Sequence, residues 1–250
     1  MGSGDVYKRQ DVTGGMVFNQ QQHTFDFYKG PIFANVVLAD EINRASPKTQ
    51  SALLQVMEEG EITVDGTTHA VPNPFIVLAT QNPVEQEGTY RLPEAQLDRF
   101  MIKLTMGYPN HDAEVDMLRT VGSGIGAANI SPIVKMSEIA NMISAVREVH
   151  LEDSIRSYIV RLCDFTRHQL EETRLGVSPR GAVALMNMAR SMAASQGRGF
   201  VNVDDVRTVA PYVMSHRLIL TPSAELDRVA PESLIGRAID EVGAPEPIRA

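Results

Sequence analysis

The stretch that most constrains this chain is Asn35-Val-Val-Leu-Ala-Asp-Glu-Ile-Asn-Arg44. Four apolar residues, Val36 to Ala39, end abruptly in two acids, Asp40 and Glu41. An uninterrupted apolar run reads as a strand buried on both faces, the kind found in parallel sheets with helices on either side. A carboxylate pair at the C-terminal edge of such a strand lies where open α/β sheets place their ligands. There one acid can hold Mg²⁺, usually through water, while the next polarises an attacking water. The same two acids can also merely end a strand in solvent, and these residues alone leave both readings open.

Residues 1–10 (MGSGDVYKRQ) are short, polar and without periodicity, and read as a non-native or artefactual leader. From Asp11 to Gly30, Thr13-Gly14-Gly15, the run Gln20 to Gln22 and the alternation Phe25-Asp26-Phe27 predict a turn and a short exposed hairpin. Past Arg44, Ser46 as N-cap, Pro47 at the first helical position and Gly60 as terminator mark a helix. Leu53, Leu54 and Met57 share its apolar face, leaving Gln50, Glu58 and Glu59 to face water. Asp65-Gly66 between β-prone flanks predicts a hairpin over 61–71, with His69 as a surface residue. Phe75 to Thr80 reads as a second buried strand, and it ends in Gln81-Asn82-Pro83. Asn82 is there either to start an Asn-Pro turn or to orient a water or a terminal phosphate. A short Pro-started helix over 92–100 carries Arg99, for which Asp98, Glu94 and Glu85 are the obvious surface partners. Met101 to Thr105 is a third strand candidate.

Gly122 to Ala128 separates two halves and reads as a linker, because no Lys-Ser or Lys-Thr follows its glycines. Beyond it the periodicity is helical throughout. Ser137 and Asp153 are candidate N-caps, Ser178-Pro179-Arg180 opens a third helix that Gly197 closes, and Val203 to Met214 forms a fourth. A short final helix is expected within 226–242. Arg180 falls in a first turn, where a cation opposes the helix dipole. An anion nearby would offset that mismatch.

Composition bounds the rest. Hydrophobic residues make up 43% of the 250, enough for a substantial core, and no apolar run approaches the roughly 18 residues of a membrane span. A formal net charge of -8 argues against a dedicated nucleic-acid binder. Cys163 is the single cysteine, which rules out an internal disulfide and a cysteine-based metal site. A reduced cytoplasmic protein is the expectation.

Taken in order, the motifs resemble those of the AAA+ ATPases, and more closely the MoxR family. The phrases are LADEINRA at 38–45, ATQNP at 79–83, LPEAQLDRF at 92–100 and SPR at 178–180. The resemblance implies an α/β fold: a partial AAA+ parallel sheet with flanking helices at 11–110, a linker at 111–136, and an all-helical lid domain at 137–250. It implies ATP and Mg²⁺ as cofactors. Asp40 would be the Mg²⁺-associated acid, acting through water, and Glu41 the general base. Asn82 would be the sensor 1 amide and Arg180 the sensor 2 cation of the lid. Arg99 would be the arginine finger, acting in trans on a neighbouring subunit of a ring, by resemblance a homohexamer. The hairpins at 11–30 and 61–71 would face the ring pore or a client. Clients of the family include proteins with a von Willebrand A domain.

The sequence departs from the family in one respect. No G-x-x-x-x-G-K-[ST] occurs, and Lys48-Thr49 follows a proline instead of a glycine-rich loop. The resemblance therefore suggests a family member lacking its N-terminal third, with Asp40 and Glu41 forming half of a site. Two other readings are a non-catalytic interaction subunit that lends Arg99 to a neighbour, and a motor of the chelatase or gas-vesicle type.

Overall fold

The computed structural model describes residues 9–82, 90, 92–123 and 131–245, which fall into two units divided after Phe100. In the first unit a short helix, α1 (Arg9–Thr13), leads into the antiparallel hairpin of β1 (Gly14–Asn19) and β2 (Thr24–Lys29). The apolar strand β3 (Val36–Ala39) follows, then helix α2 (Pro47–Glu59). Ser46 caps α2 as its residue type predicts, its hydroxyl accepting the Thr49 amide at 3.3 Å. Gly60 ends the helix at φ 69°, a left-handed conformation that costs glycine least. The hairpin of β4 (Glu61–Val64) and β5 (Thr67–Ala70) turns on Asp65 and Gly66, both at positive φ as a two-residue primed turn requires. Strand β6 (Ile76–Ala79) and the one-turn helix α3 (Glu94–Leu97) complete the unit.

Strands β3 and β6 pair in parallel and in register, Val36 with Ile76 through Ala39 with Ala79. They are not buried on both faces as the apolar runs predict. Val37 lies in a core with Leu53, Leu54 and Val56 of α2, Ile32 and Ile62. Val36, Leu38, Ile76 and Leu78 point the other way and are each more than half exposed. The alternation is inherent to the pleat; among the described residues a core forms on one side of this pair only.

Two polar residues of this unit depart from expectation. Gln50, read as solvent-facing, is 2% exposed because its amide is needed inside, as described below. His69 is half-buried instead of lying on the surface: its ring stacks on Phe27 at 4.1 Å between centroids and meets Phe33 edge-on. An imidazole presents a flat apolar face, and here it joins the two hairpins.

The second unit is helical: α4 (His111–Ser123), α5 (Met136–Glu148), α6 (Asp153–His168), α7 (Pro179–Ser195), α8 (Val203–Met214), α9 (Pro222–Leu226) and α10 (Pro231–Glu241). A small antiparallel pair, β7 (Thr173–Leu175) and β8 (Ile219–Leu220), lies among them. One core collects Tyr158, Leu162, Leu185, Val213 and Ile235, all fully enclosed. Cys163 lies in it, and burial pushes its thiol up to about 11. The caps at Ser137 and Asp153 move to Lys135 and Glu152, one or two residues earlier. No helix among the described residues is long and apolar enough to cross a membrane.

Two segments differ from their sequence patterns. Residues 101–105 form no strand; the Lys103 amide donates to the Tyr212 carbonyl at 3.0 Å instead of to a sheet neighbour. Within the segment read as a linker, 111–136, residues 111–123 are helical. Asn110 accepts the Ala113 amide at 2.9 Å, and Asp112 and Glu114 occupy the first turn, where acids favour a helix. Residues 124–130, the rest of the glycine-rich stretch, lie outside the described residues, as do 1–8 of the supposed leader; Arg9 and Gln10 begin α1.

Candidate functional site

Parallel register is what builds the site. Because Ala39 sits opposite Ala79, the chain leaves both strands at the same edge, with Asp40 and Glu41 following one and Thr80 to Asn82 the other. The entry edge is tied as well: the Asn35 side-chain amide donates to Pro74 O at 2.7 Å, and the Ile76 amide to Asn35 O at 2.9 Å. This edge of a parallel pair is where open α/β sheets bind ligands.

Glu41 stands at φ 47°, ψ 50°, the left-handed region, which costs a non-glycine residue about 1–2 kcal/mol. The conformation turns the chain sharply into a 3₁₀ turn, Ile42–Arg44, whose Ile42 and Asn43 are buried. Conformations of this kind persist where surrounding contacts over-determine them. Here those contacts can be named. The Glu41 amide donates to the Thr80 hydroxyl at 2.9 Å, and the Ile42 amide to the Thr80 carbonyl at 3.0 Å. From inside, Gln50 of α2 donates to Ile42 O at 3.0 Å and to Tyr90 O at 3.1 Å. The Glu41 carboxylate meets Arg44 at 3.1 Å, both side chains partly exposed. The Asp40 carboxylate accepts a hydrogen bond from the Thr80 hydroxyl.

The remaining expected site residues are placed as follows. Asn82 is half-buried, two residues beyond Thr80, at the same strand edge. Arg99 has a partner that the sequence reading did not name. Its Nε donates to Glu58 at 2.9 Å, on the last turn of α2. Glu85 lies outside the described residues. Arg180 is exposed in the first turn of α7, where Ser178 accepts the Gly181 amide at 3.2 Å. It belongs to the second unit.

Asp40 suits Mg²⁺ in one specific sense. It is an exposed hard-oxygen ligand with its carboxylate already oriented by a hydroxyl. Mg²⁺ keeps several waters and takes one or two carboxylates together with a nucleotide's phosphates, so a single such acid is an adequate protein contribution.

The sequence matches two family models. The ATPase family associated with various cellular activities (AAA) covers residues 5–102, and the AAA lid domain covers 166–237. Chaperone MoxR1 of Mycobacterium tuberculosis is 38% identical over 94% of this chain. The protein belongs to the MoxR family of AAA+ ATPases. The chain spans 64% of MoxR1. The uncharacterized protein YeaC of Bacillus subtilis is 45% identical, with 94% of this chain matching 73% of that protein. The crystal structure of a candidate ATPase from Cytophaga hutchinsonii superposes with a TM-score of 0.88 at 37% identity, covering 95% of this chain and 74% of that one. The AAA match begins at residue 5, inside the segment 1–10 set aside on composition.

The MoxR motifs thus sit on a scaffold with three further supports, none of which the sequence reading gave a role in the site. Thr80, Arg44 and Gln50 hold the acidic strand end from three directions. Thr80 lies in the phrase ATQNP and Arg44 in LADEINRA, and the parallel pairing of Ala39 with Ala79 puts Thr80 beside Asp40.

Proposed function

We propose that the chain carries the acid-and-amide half of a Mg-ATP hydrolysis site, and that it works as a MoxR-type remodeller or activator of partner proteins. The observation that supports this most directly is the shared edge of β3 and β6, from which Asp40, Glu41 and Asn82 all emerge. When bound, Mg²⁺ supplies charge neutralisation at the β- and γ-phosphates. Asp40 orients its water shell, Glu41 accepts the proton of the attacking water, and Asn82 fixes that water against the terminal phosphate. On the family motifs alone, Arg180 is the sensor 2 cation and Arg99 the arginine finger offered to an adjacent subunit of a hexameric ring. Arg99 would exchange its bond to Glu58 for that phosphate. A surface pair of this kind holds by only about 0–1 kcal/mol, so the exchange is inexpensive. Proteins with a von Willebrand A domain are the proposed partners, and the cytoplasm the proposed compartment.

The 250 residues contain no phosphate-binding loop of the G-x-x-x-x-G-K-[ST] type, and so neither its backbone donors nor its lysine. The chain by itself is therefore expected to bind Mg-ATP more weakly than micromolar. Calorimetric titration tests this, and micromolar affinity would refute the half-site reading. The site itself is tested by adding millimolar Mn-ATP to isotope-labelled protein. The amide resonances of Asp40, Glu41 and Asn82 should broaden together; broadening elsewhere, with these three unchanged, would sink the assignment.

A further inference from the structure

We propose that Thr80 is the positioning residue of the acidic strand end. It takes the reading of Asp40 and Glu41 as the Mg²⁺ acid and the base as its starting point. One hydroxyl makes both decisive contacts: it donates to the Asp40 carboxylate and accepts the Glu41 amide at 2.9 Å. The main chain of the same residue adds two more, its amide donating to Ala39 O at 3.1 Å and its carbonyl accepting the Ile42 amide at 3.0 Å. Four consecutive residues, 39 to 42, are thus registered against one threonine.

The division of labour between side chain and main chain matters. The two main-chain bonds would be made by any residue except proline at position 80, just past the last pair of the β3–β6 ladder. The two hydroxyl bonds are specific to a short side chain that can donate and accept at once. They fix what the ladder cannot: the direction of the Asp40 carboxylate and the left-handed backbone of Glu41, φ 47°. A β-branched residue is suited to this because its χ1 has few accessible settings. The hydroxyl is exposed, which makes it a poor candidate for a stabilising bond and a reasonable one for a directing bond.

Thr80→Val keeps the shape and the β-branch but removes the hydroxyl; Thr80→Ser restores it. Amide hydrogen exchange on the intact chain reads the clasp directly. In Thr80→Val the Glu41 amide should exchange at least about tenfold faster, while the Ile42 amide, whose acceptor is a carbonyl, stays within about threefold of wild type. Thr80→Ser should return Glu41 to the wild-type rate. Mn²⁺ alone, followed by broadening at Asp40, then reads the consequence for the carboxylate: a weaker midpoint in Thr80→Val, recovered in Thr80→Ser. Unchanged Glu41 exchange in Thr80→Val, or no recovery in Thr80→Ser, would overturn the proposal. So would the two amides accelerating together, because that is a frayed strand and not a lost hydroxyl. If wild type shows no Mn²⁺ broadening at Asp40, the Mg²⁺ reading fails, and Thr80 as positioner of a metal acid fails with it. The exchange data then still report whether the hydroxyl clasp exists.

Discussion

The two units of this protein handle the same kind of apolar residue in opposite ways. In residues 101–250, α6, α7, α8 and α10 close on one another, and Leu185 has no exposed surface. In residues 1–100, Leu38 occupies an equally apolar strand and is 66% exposed. Both are leucines in regular elements, one in β3 and one in α7. What separates them is whether a second layer of structure meets the face, and a sequence window cannot report that.

The sharpest test of that contrast is to truncate both leucines. Leu185→Ala should cost about 2–5 kcal/mol, the range for a leucine deleted from a closed core, seen as a lowered urea midpoint for the helical unit. Leu38→Ala should change stability by less than about 0.5 kcal/mol, because water already occupies one side. Comparable losses at the two positions would erase the distinction.

A second test adds atoms instead of removing them. A Cβ at Gly176 would come within 2.5 Å of the Thr166 backbone, so Gly176→Ala should destabilise the helical unit by about 1–3 kcal/mol. Gly60 has nothing within 4 Å of its would-be Cβ but stands at φ 69°. Gly60→Ala should therefore cost about 1 kcal/mol, from backbone conformation alone. Thermal melts of the two variants separate crowding from conformation.

The smallest expected effect concerns pH. Hydrogen bonds from Arg237 hold the Glu172 carboxyl below its ordinary value. A group depressed in this way contributes stability above its unfolded pKa, near 4.3, and loses it as pH falls through the lower folded value. Glu172→Gln should therefore cost no more than about 1 kcal/mol at pH 7, with the gap to wild type closing toward pH 3. A gap that widens in acid would reverse the sign of the interaction. Arg156 with Asp153 is an exposed pair of the same modest kind.

Local chemistry was the legible part. Ser46-Pro47 and Ser178-Pro179 start their helices because a hydroxyl acceptor and a preset φ act within three residues. Asp65-Gly66 turns its hairpin for a similarly short-range reason. Contacts formed across long stretches of chain were not legible. Gln50 is buried because carbonyls 8 and 40 residues away need a donor. Arg99 bonds Glu58 from 41 residues away. At the candidate site the acids and the amide announced themselves, whereas the hydroxyl between them became apparent only once the two strands were seen in register.

The solitary thiol of Cys163 has a practical consequence. Enclosed by the helical unit, and with so little thiolate at neutral pH, it should ignore maleimides and disulfide reagents while the fold is intact. A cysteine engineered at the tip of either hairpin would then be the one labelled position, ready to carry a fluorophore with no background. The native sulfur would stay silent until the helices part, and its first reaction would time their opening.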